Sequence, residues 1–206
     1  VLIVDLYVIA IHRLFGLVRM ALAQGVFLAL LPLALWSGDD LVPWPHLLLM
    51  SLGTLLIKAG LIPVLLKRAI RLVHDGHETE PFVSLHLPIL LALCLVGISF
   101  GLASVLRLPI DVPTRLLVPA AFATILLGFQ LLITRRLAVT QVVGYLFIEN
   151  GIFIFGLILA HQMPLLVELS ILLDLLVGIF VMGIAIRHIS REFEHIDTER
   201  LAQLKD

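Results

Sequence analysis

Long apolar runs, broken at fairly regular intervals by short polar or basic turns, dominate the chain. Runs near 20 residues predict helices that cross a bilayer, because ~1.5 Å of rise per residue spans roughly 30 Å of hydrocarbon. A transmembrane β-barrel would instead alternate apolar and polar positions in segments of about ten residues, and these runs are continuously apolar. Seven segments are expected, at 1–11, 17–35, 46–66, 84–106, 114–133, 141–160 and 165–186. The first, VLIVDLYVIAI, reads as the end of a helix that begins before residue 1, and it shows neither the basic start nor the small-residue cleavage site of a signal peptide. Short connections make neighbouring segments antiparallel. The longest loop, 67–83, holds HDGHETEP, and 187–206 reads as an amphipathic surface tail. The expected fold class is an all-α, polytopic transmembrane bundle of seven helices.

Composition agrees with this pattern. Hydrophobic residues make up 61% of the 206 and charged residues only 14%, more apolar surface than a soluble domain of this size needs. The charges sort by side. With the tail in the cytoplasm, eleven of the 14 lysines and arginines fall in inside loops or the tail, including Arg13, Lys67, Arg68, Arg135 and Arg187. Only Arg107 and Arg115 fall outside, and Lys58 alone lies within a segment. That asymmetry is the positive-inside signature and predicts a cytoplasmic C-terminus. A net charge of −1 and the lack of a basic patch interleaved with aromatics exclude nucleic acid as an expected partner. One cysteine, Cys94, excludes an internal disulfide, an iron–sulfur cluster or a nickel centre. His74 and His77 could bind a metal, but no other ligand cluster is near them, and a solvated loop is the expectation.

Candidate chemistry lies in ionisable residues inside the segments: Lys58, Glu149, Glu168 and Asp174. Each costs about 2.5–3.5 kcal/mol at a helix centre on insertion scales, so partners or a task are expected. Glu149 sits near the middle of GYLFIENGIFIFGLILA, with Tyr145 one turn before it and Gly156 two turns after. It is expected to be a protonatable relay site, the alternative being a carboxyl that pins packing. Asp174 in VELSILLD, with Ser170 one turn away, reads the same way. Glu168 is turned about 120° from Asp174 and lies near the outer end, which suits either a solvated helix start or an exit. Lys58 shares a stripe with Ser51 and Thr54, and Pro63 follows five residues later. Proline donates no N–H, so the Ala59 carbonyl loses its helical partner and a kink is expected there. Lys58 is expected to pass protons or pair with an acid, unless it snorkels to the inner interface. Asp5 lies in the first segment at a depth the pattern leaves open.

KAGLIP (58–63), ITRRLAVTQVVGYLFIENG (133–151) and VELSILLD (167–174), followed by a basic tail, resemble hydrogenase-4 component E along essentially the whole chain. That family is a membrane subunit of group 4 nickel–iron hydrogenase and formate hydrogenlyase complexes. The last three segments also resemble the K subunit of complex I and the C subunit of Mrp-type antiporters. Arg135 and Arg136 before Gly144, and Asp174 before Arg187, match that pattern. The first acid follows the glycine by five residues here, at Glu149, where the K subunit has it after two, at the position of Leu146.

The resemblance implies a division into 1–106, a K-subunit-like unit at 107–186 and a cytoplasmic tail at 187–206. It implies a subunit without a cofactor of its own, in a prokaryotic cytoplasmic membrane. Its partners would be antiporter-like membrane subunits and a peripheral hydrogenase arm holding the nickel–iron and iron–sulfur centres. The expected role is movement of protons or sodium along a mid-membrane relay of Glu149, Asp174 and Lys58, supported by Tyr145, Ser170, Thr54 and Glu168. The rival reading is a structural linker between those subunits. A stand-alone transporter is disfavoured, since no inverted repeat is evident.

Overall fold

The computed structural model describes residues 1–11, 13–35, 44–72, 86–106, 115–135, 138–159 and 183. All described regular structure is helical: α1 (Leu2–Ala10), α2 (Leu14–Ala34), α3 (Trp44–Thr54), α4 (Ile62–Leu72), α5 (His86–Val105), α6 (Leu117–Thr134) and α7 (Ala138–Leu159). A π-helical segment, Leu55–Leu61, joins α3 to α4 without a break. Four helices are long and apolar enough to cross a membrane: Leu14–Ala34, His86–Val105, Leu117–Thr134 and, within α7, Thr140–Ile158. The α3–α4 run has comparable reach but is divided by its π segment. The expected segment 165–186, the loop at 73–83 and the tail lie outside the described residues, Gly183 excepted.

Two apolar clusters reveal how the runs are threaded. One gathers Val8 and Ile9 of α1, Leu14, Leu17 and Val18 of α2, Ile62, Leu66 and Ile70 of α4, Leu127 and Leu131 of α6, and Val142, Val143, Leu146 and Phe147 of α7. The other gathers Leu28 of α2, Ala121 of α6, and Phe153 and Ile154 of α7. Chain order through the clusters reverses from α1 to α2, and again from α6 to α7. Neighbours are therefore antiparallel, as short connections require. Arg13, Lys67, Arg68 and Arg135 all lie at the end that holds the larger cluster, and Arg115 lies at the other.

The tightest packing is between α6 and α7, and glycine makes it possible. A Cβ on Gly128 would lie 2.8 Å from the Gly144 carbonyl oxygen, and one on Gly144 would lie 2.9 Å from that of Gly128. One helical turn pair later, a Cβ on Gly151 would lie 2.7 Å from the Ala121 carbonyl oxygen. Two helices in lipid gain little from apolar burial alone, so close backbone approach and van der Waals contact must hold them. At the ends, side chains satisfy backbone groups. Arg135 donates to the Ile9 and Ile11 carbonyls at 3.0 and 2.9 Å, closing the C-terminus of α1, where helical carbonyls lack partners. Gln130 Nε2 donates to the Pro88 carbonyl at 2.6 Å and ties α6 to the first turn of α5. Helix α5 is the most exposed of the four spanning helices, buried only along Pro88, Ala92 and Ser99.

Gly144→Val is expected to destabilise the fold by about 1–3 kcal/mol through overpacking. Gly97→Ala, on an open face of α5 with nothing within 4 Å, should stay within ~0.5 kcal/mol of the parent. Denaturant or thermal unfolding of the two variants in detergent measures the contrast, and equal effects would refute the packing account.

Candidate functional site

Between the two apolar clusters runs a layer of polar side chains, contributed by every helical run except α5. Asp5, Gln24, Lys58, Thr124, Glu149 and Asn150 are each between 0 and 4% exposed. On α1, α2, α6 and α7 they stand where the helix passes from one apolar cluster to the other, and Lys58 lies between Ile57 and Ile62, which pack on the larger cluster. Gln24 is ten residues from both ends of α2, so about 15 Å of helix lies on either side of it. This is the depth at which unsatisfied polar groups are most costly.

The groups bond one another in a continuous chain. Lys58 Nζ forms an ion pair with Glu149 Oε1. It also donates to Asn150 Oδ1 at 2.8 Å. Asn150 Nδ2 donates to Gln24 Oε1 at 2.8 Å, and Gln24 Nε2 donates to Asp5 Oδ1 at 2.8 Å. Thr124 Oγ1 lies 2.6 Å from Asp5 Oδ2 and 2.8 Å from the carbonyl of Ala120, one turn earlier on its own helix. Three helical runs, α2, α3–α4 and α6, are stitched directly to α1 or α7 by these bonds. The Lys58 ammonium also lies 5.3 Å from the centroid of the Phe153 ring, whose π face favours a cation.

Local winding sets Lys58 in place. The π segment around it makes i→i+5 bonds, as when the Ile62 N–H bonds the Ile57 carbonyl. Pro63 follows with no N–H to continue the ladder. Such segments occur mostly where a side chain has been redirected for a purpose. Helix α2 can approach this turn only because residue 25 is glycine: a Cβ there would lie 2.9 Å from both the carbonyl carbon and oxygen of Lys58. Gln24, the next residue, is thereby brought to Asn150.

The expected relay residues are placed unequally. Lys58 and Glu149 meet, so Lys58 is a buried charge partner and does not snorkel. Thr54 is partly buried at the start of the π segment. Tyr145, one turn from Glu149, is 47% exposed. Asp174, Ser170 and Glu168 lie outside the described residues. Pro63 is buried directly after the π segment. Gln24, Thr124 and Asp5 were not singled out by sequence reasoning as members of the site, nor was Asn150 given its bridging place. The available signal was a lone amide at the centre of LFGLVRMALAQGVFLALLPLA and an acid in an otherwise apolar VLIVDLYVIAI. Among the described residues no three of His, Cys, Asp and Glu gather as a metal site.

The geometry can do two things. It can fix helix register through a neutralised ion pair, and it can hold a proton at alternative places on carboxyls that remain hydrogen-bonded.

Comparison with known proteins agrees with the resemblance to hydrogenase-4 component E. The chain is 31% identical over 193 residues to the uncharacterized protein Rv0085 of Mycobacterium tuberculosis, spanning 93% of this chain and 86% of that one. It is 26% identical over 171 residues to hydrogenase-4 component E of Escherichia coli K12, spanning 83% of this chain and 76% of that one. The chain is homologous to hydrogenase-4 component E. The component E of Shigella flexneri matches to the same degree. No protein-family model and no solved structure matches the chain.

Lys58→Met alone leaves the Glu149 carboxylate buried without its cation and is expected to destabilise the fold by about 3–5 kcal/mol. Lys58→Met combined with Glu149→Leu removes both charges and should recover most of that loss. Unfolding of the two single variants and the double variant in detergent tests the pair. Additive losses would mean that Lys58 and Glu149 do not stabilise one another.

Proposed function

We propose that this chain is a multi-pass subunit of a complex-I-like hydrogenase assembly in a prokaryotic cytoplasmic membrane, and that it helps carry protons or sodium at mid-membrane depth. The homology supports the assembly, since the curated relatives of E. coli and Shigella are hydrogenase-4 components. The observation that carries the ion-handling part is the fully buried Lys58–Glu149 pair, held within a polar layer that crosses the bundle. A carboxyl and an amine in contact can exchange a proton between ammonium–carboxylate and amine–acid forms, and desolvation narrows the gap between those forms. Asp174 is the proposed next site along the relay, with Ser170, Glu168, Tyr145 and Thr54 in support. Seven segments with the C-terminus in the cytoplasm remain the proposed topology, in keeping with the basic residues at one end of the described bundle.

Redox centres are assigned to partner chains. The one cysteine, Cys94, is exposed on α5, and a single thiolate cannot supply the ligands of an iron–sulfur or nickel–iron site. The proposed partners are antiporter-like membrane subunits and a peripheral hydrogenase arm. A structural-linker reading has one observation in its favour: the ion pair is directly bonded to amides, as a register-setting lock would be.

Glu149→Gln separates the two. It keeps the shape of the side chain and one oxygen that can accept from Lys58, but it has neither the negative charge nor a proton-holding oxygen. The relay reading expects normal assembly of the complex in native membranes, with hydrogen-linked ion pumping into vesicles lost. Unchanged pumping refutes a relay through Glu149, and failed assembly favours the linker.

A further inference from the structure

Hydroxyls in these helices follow one habit. Ser99, Thr124 and Thr134 each donate to the carbonyl one turn earlier on their own helix, at 2.8, 2.8 and 2.7 Å. That acceptor is within reach of any helical hydroxyl, so none need stay unbonded in an apolar interior. Ser51 departs from the habit. It is only 7% exposed, and its Oγ has no hydrogen-bond partner among the described residues. It does not take the Leu47 carbonyl, which stands one turn earlier. An unbonded buried hydroxyl costs about 1–3 kcal/mol. The cost calls for a partner that is not a group of this chain.

The register of α2 against the α3–α4 run gives Ser51 its setting. Leu14, Leu17 and Val18 cluster with Ile62, Leu66 and Ile70, and a Cβ on Gly25 would lie 2.9 Å from the Lys58 carbonyl oxygen. The two runs are therefore antiparallel. Stepping from Gly25 on to Pro32, and from Lys58 back to Ser51, is the same number of residues, so Pro32 and Ser51 share one depth. It lies about 10 Å beyond Lys58, toward the Trp44 end. Pro32 is buried inside α2 and has no N–H, so the Leu28 carbonyl lacks its usual helical donor. A hydroxyl without a bond and a carbonyl without its helical donor thus stand at about the same level. Thr54, partly buried, lies between that level and Lys58. Leu52, Leu55 and Leu56 are exposed on the other faces of the run, so the polar stripe points inward. Among the described residues, neither apolar cluster includes a residue of α3, and the stripe runs beside them.

We propose that the interface of α2 with α3 is a water-bearing access route, which joins the Trp44 end of the bundle to the level of the Lys58–Glu149 pair. This rests on the reading of that pair as an ion-handling site. Water suits each station. It accepts from the Ser51 hydroxyl, donates to the Leu28 carbonyl, and does both with Thr54. Successive stations are about 5 Å apart along the helix axis, a gap too long for a direct bond and spanned by one bridging water. A proton that the pair takes up or gives off then has bulk water as its source or sink. The route is closed beyond the layer. Gly25 sits against the Lys58 backbone, and past it Leu17 and Val18 of α2 pack with Ile62 and Leu66 of α4. Access is thus one-sided, and an ion does not leak through to the basic end.

Silver ion tests the route in the full chain reconstituted in lipid vesicles, because it bonds a thiolate and does not cross hydrocarbon. Ser51→Cys and Thr54→Cys are made singly in a Cys94→Ser background, in variants whose thermal unfolding matches the parent. Thiols left free after silver treatment are counted with a fluorescent maleimide in denaturing detergent. Two references bracket the result: the parent, whose Cys94 is exposed on α5, and Val143→Cys in the larger apolar cluster. Silver is expected to block both route cysteines about tenfold faster than either reference, since water lets a thiol ionise and an apolar surrounding does not. In vesicles of the two orientations, blocking should be faster from the Trp44 end. A Thr54→Cys thiol no faster than the references overturns the route, whatever Ser51→Cys does, and faster entry from the basic end overturns its direction. If Thr54→Cys reacts as stated while the assembled Glu149→Gln complex pumps normally, the route stands and the translocation reading falls. If that complex loses pumping and Thr54→Cys is silent, the translocation reading stands and the route falls.

Discussion

The rest of the structure depends on the contact between Lys58 and Glu149. A lysine and a glutamate at mid-depth would each be costly alone, by several kcal/mol. Together they are tolerable only if the geometry is close and the remaining donors and acceptors are met. Asn150 meets one of the lysine donors, and the face of Phe153 lies near the ammonium. Those requirements determine features that would otherwise look unrelated: a π turn in the lysine's helix, glycine at residue 25 to let α2 in, and glycines on α6 and α7 to hold Glu149's helix close.

The layer architecture follows. α1, α2, α6 and α7 are apolar on both sides of their polar groups, so the layer lies between the two clusters. That position is why the polar groups must satisfy each other, and why a chain of bonds forms that leads from Lys58 to Thr124. In water the same groups would gain little from pairing. In a medium of low dielectric, each bond is stronger and each missing one is more damaging. Every member of the layer therefore helps to set helix register.

The helices were legible in the sequence because hydrocarbon thickness selects apolar runs of about 20 residues, and the expected segments at 17–35, 84–106, 114–133 and 141–160 coincide with α2, α5, α6 and α7 to within a few residues. The residues at the centre were only half legible. Lys58 and Glu149 stood out because charge in an apolar run is conspicuous, but which of them met which could not be read from spacing. Glu149 and Lys58 are 91 positions apart, and Thr124 and Asp5 are 119 apart. The neutral members escaped notice for a physical reason. Gln24 and Thr124 carry no charge, so they do not depart from the apolar pattern as Lys58 and Glu149 do, although they complete the chain. Asp5 was ambiguous because the apolar run around it was read at 1–11 as the end of a longer segment, and the length of a run is what reports depth. The π winding has no signature in hydropathy, and Pro63 alone pointed to it.

A lock and a relay are often set against each other as explanations of buried charge, but the layer makes them compatible. A lock fails when one partner is neutralised, because the other is left alone in the dry interior. A relay needs that neutralisation to happen repeatedly. The conflict is removed if the layer contains a second acid able to become the counter-ion, and if that acid is well bonded in both of its forms. Thr124, poised between Asp5 and the Ala120 carbonyl, provides the second condition. The two amides between Asp5 and Lys58 place that acid in the same bonded chain as the cation, among the described residues.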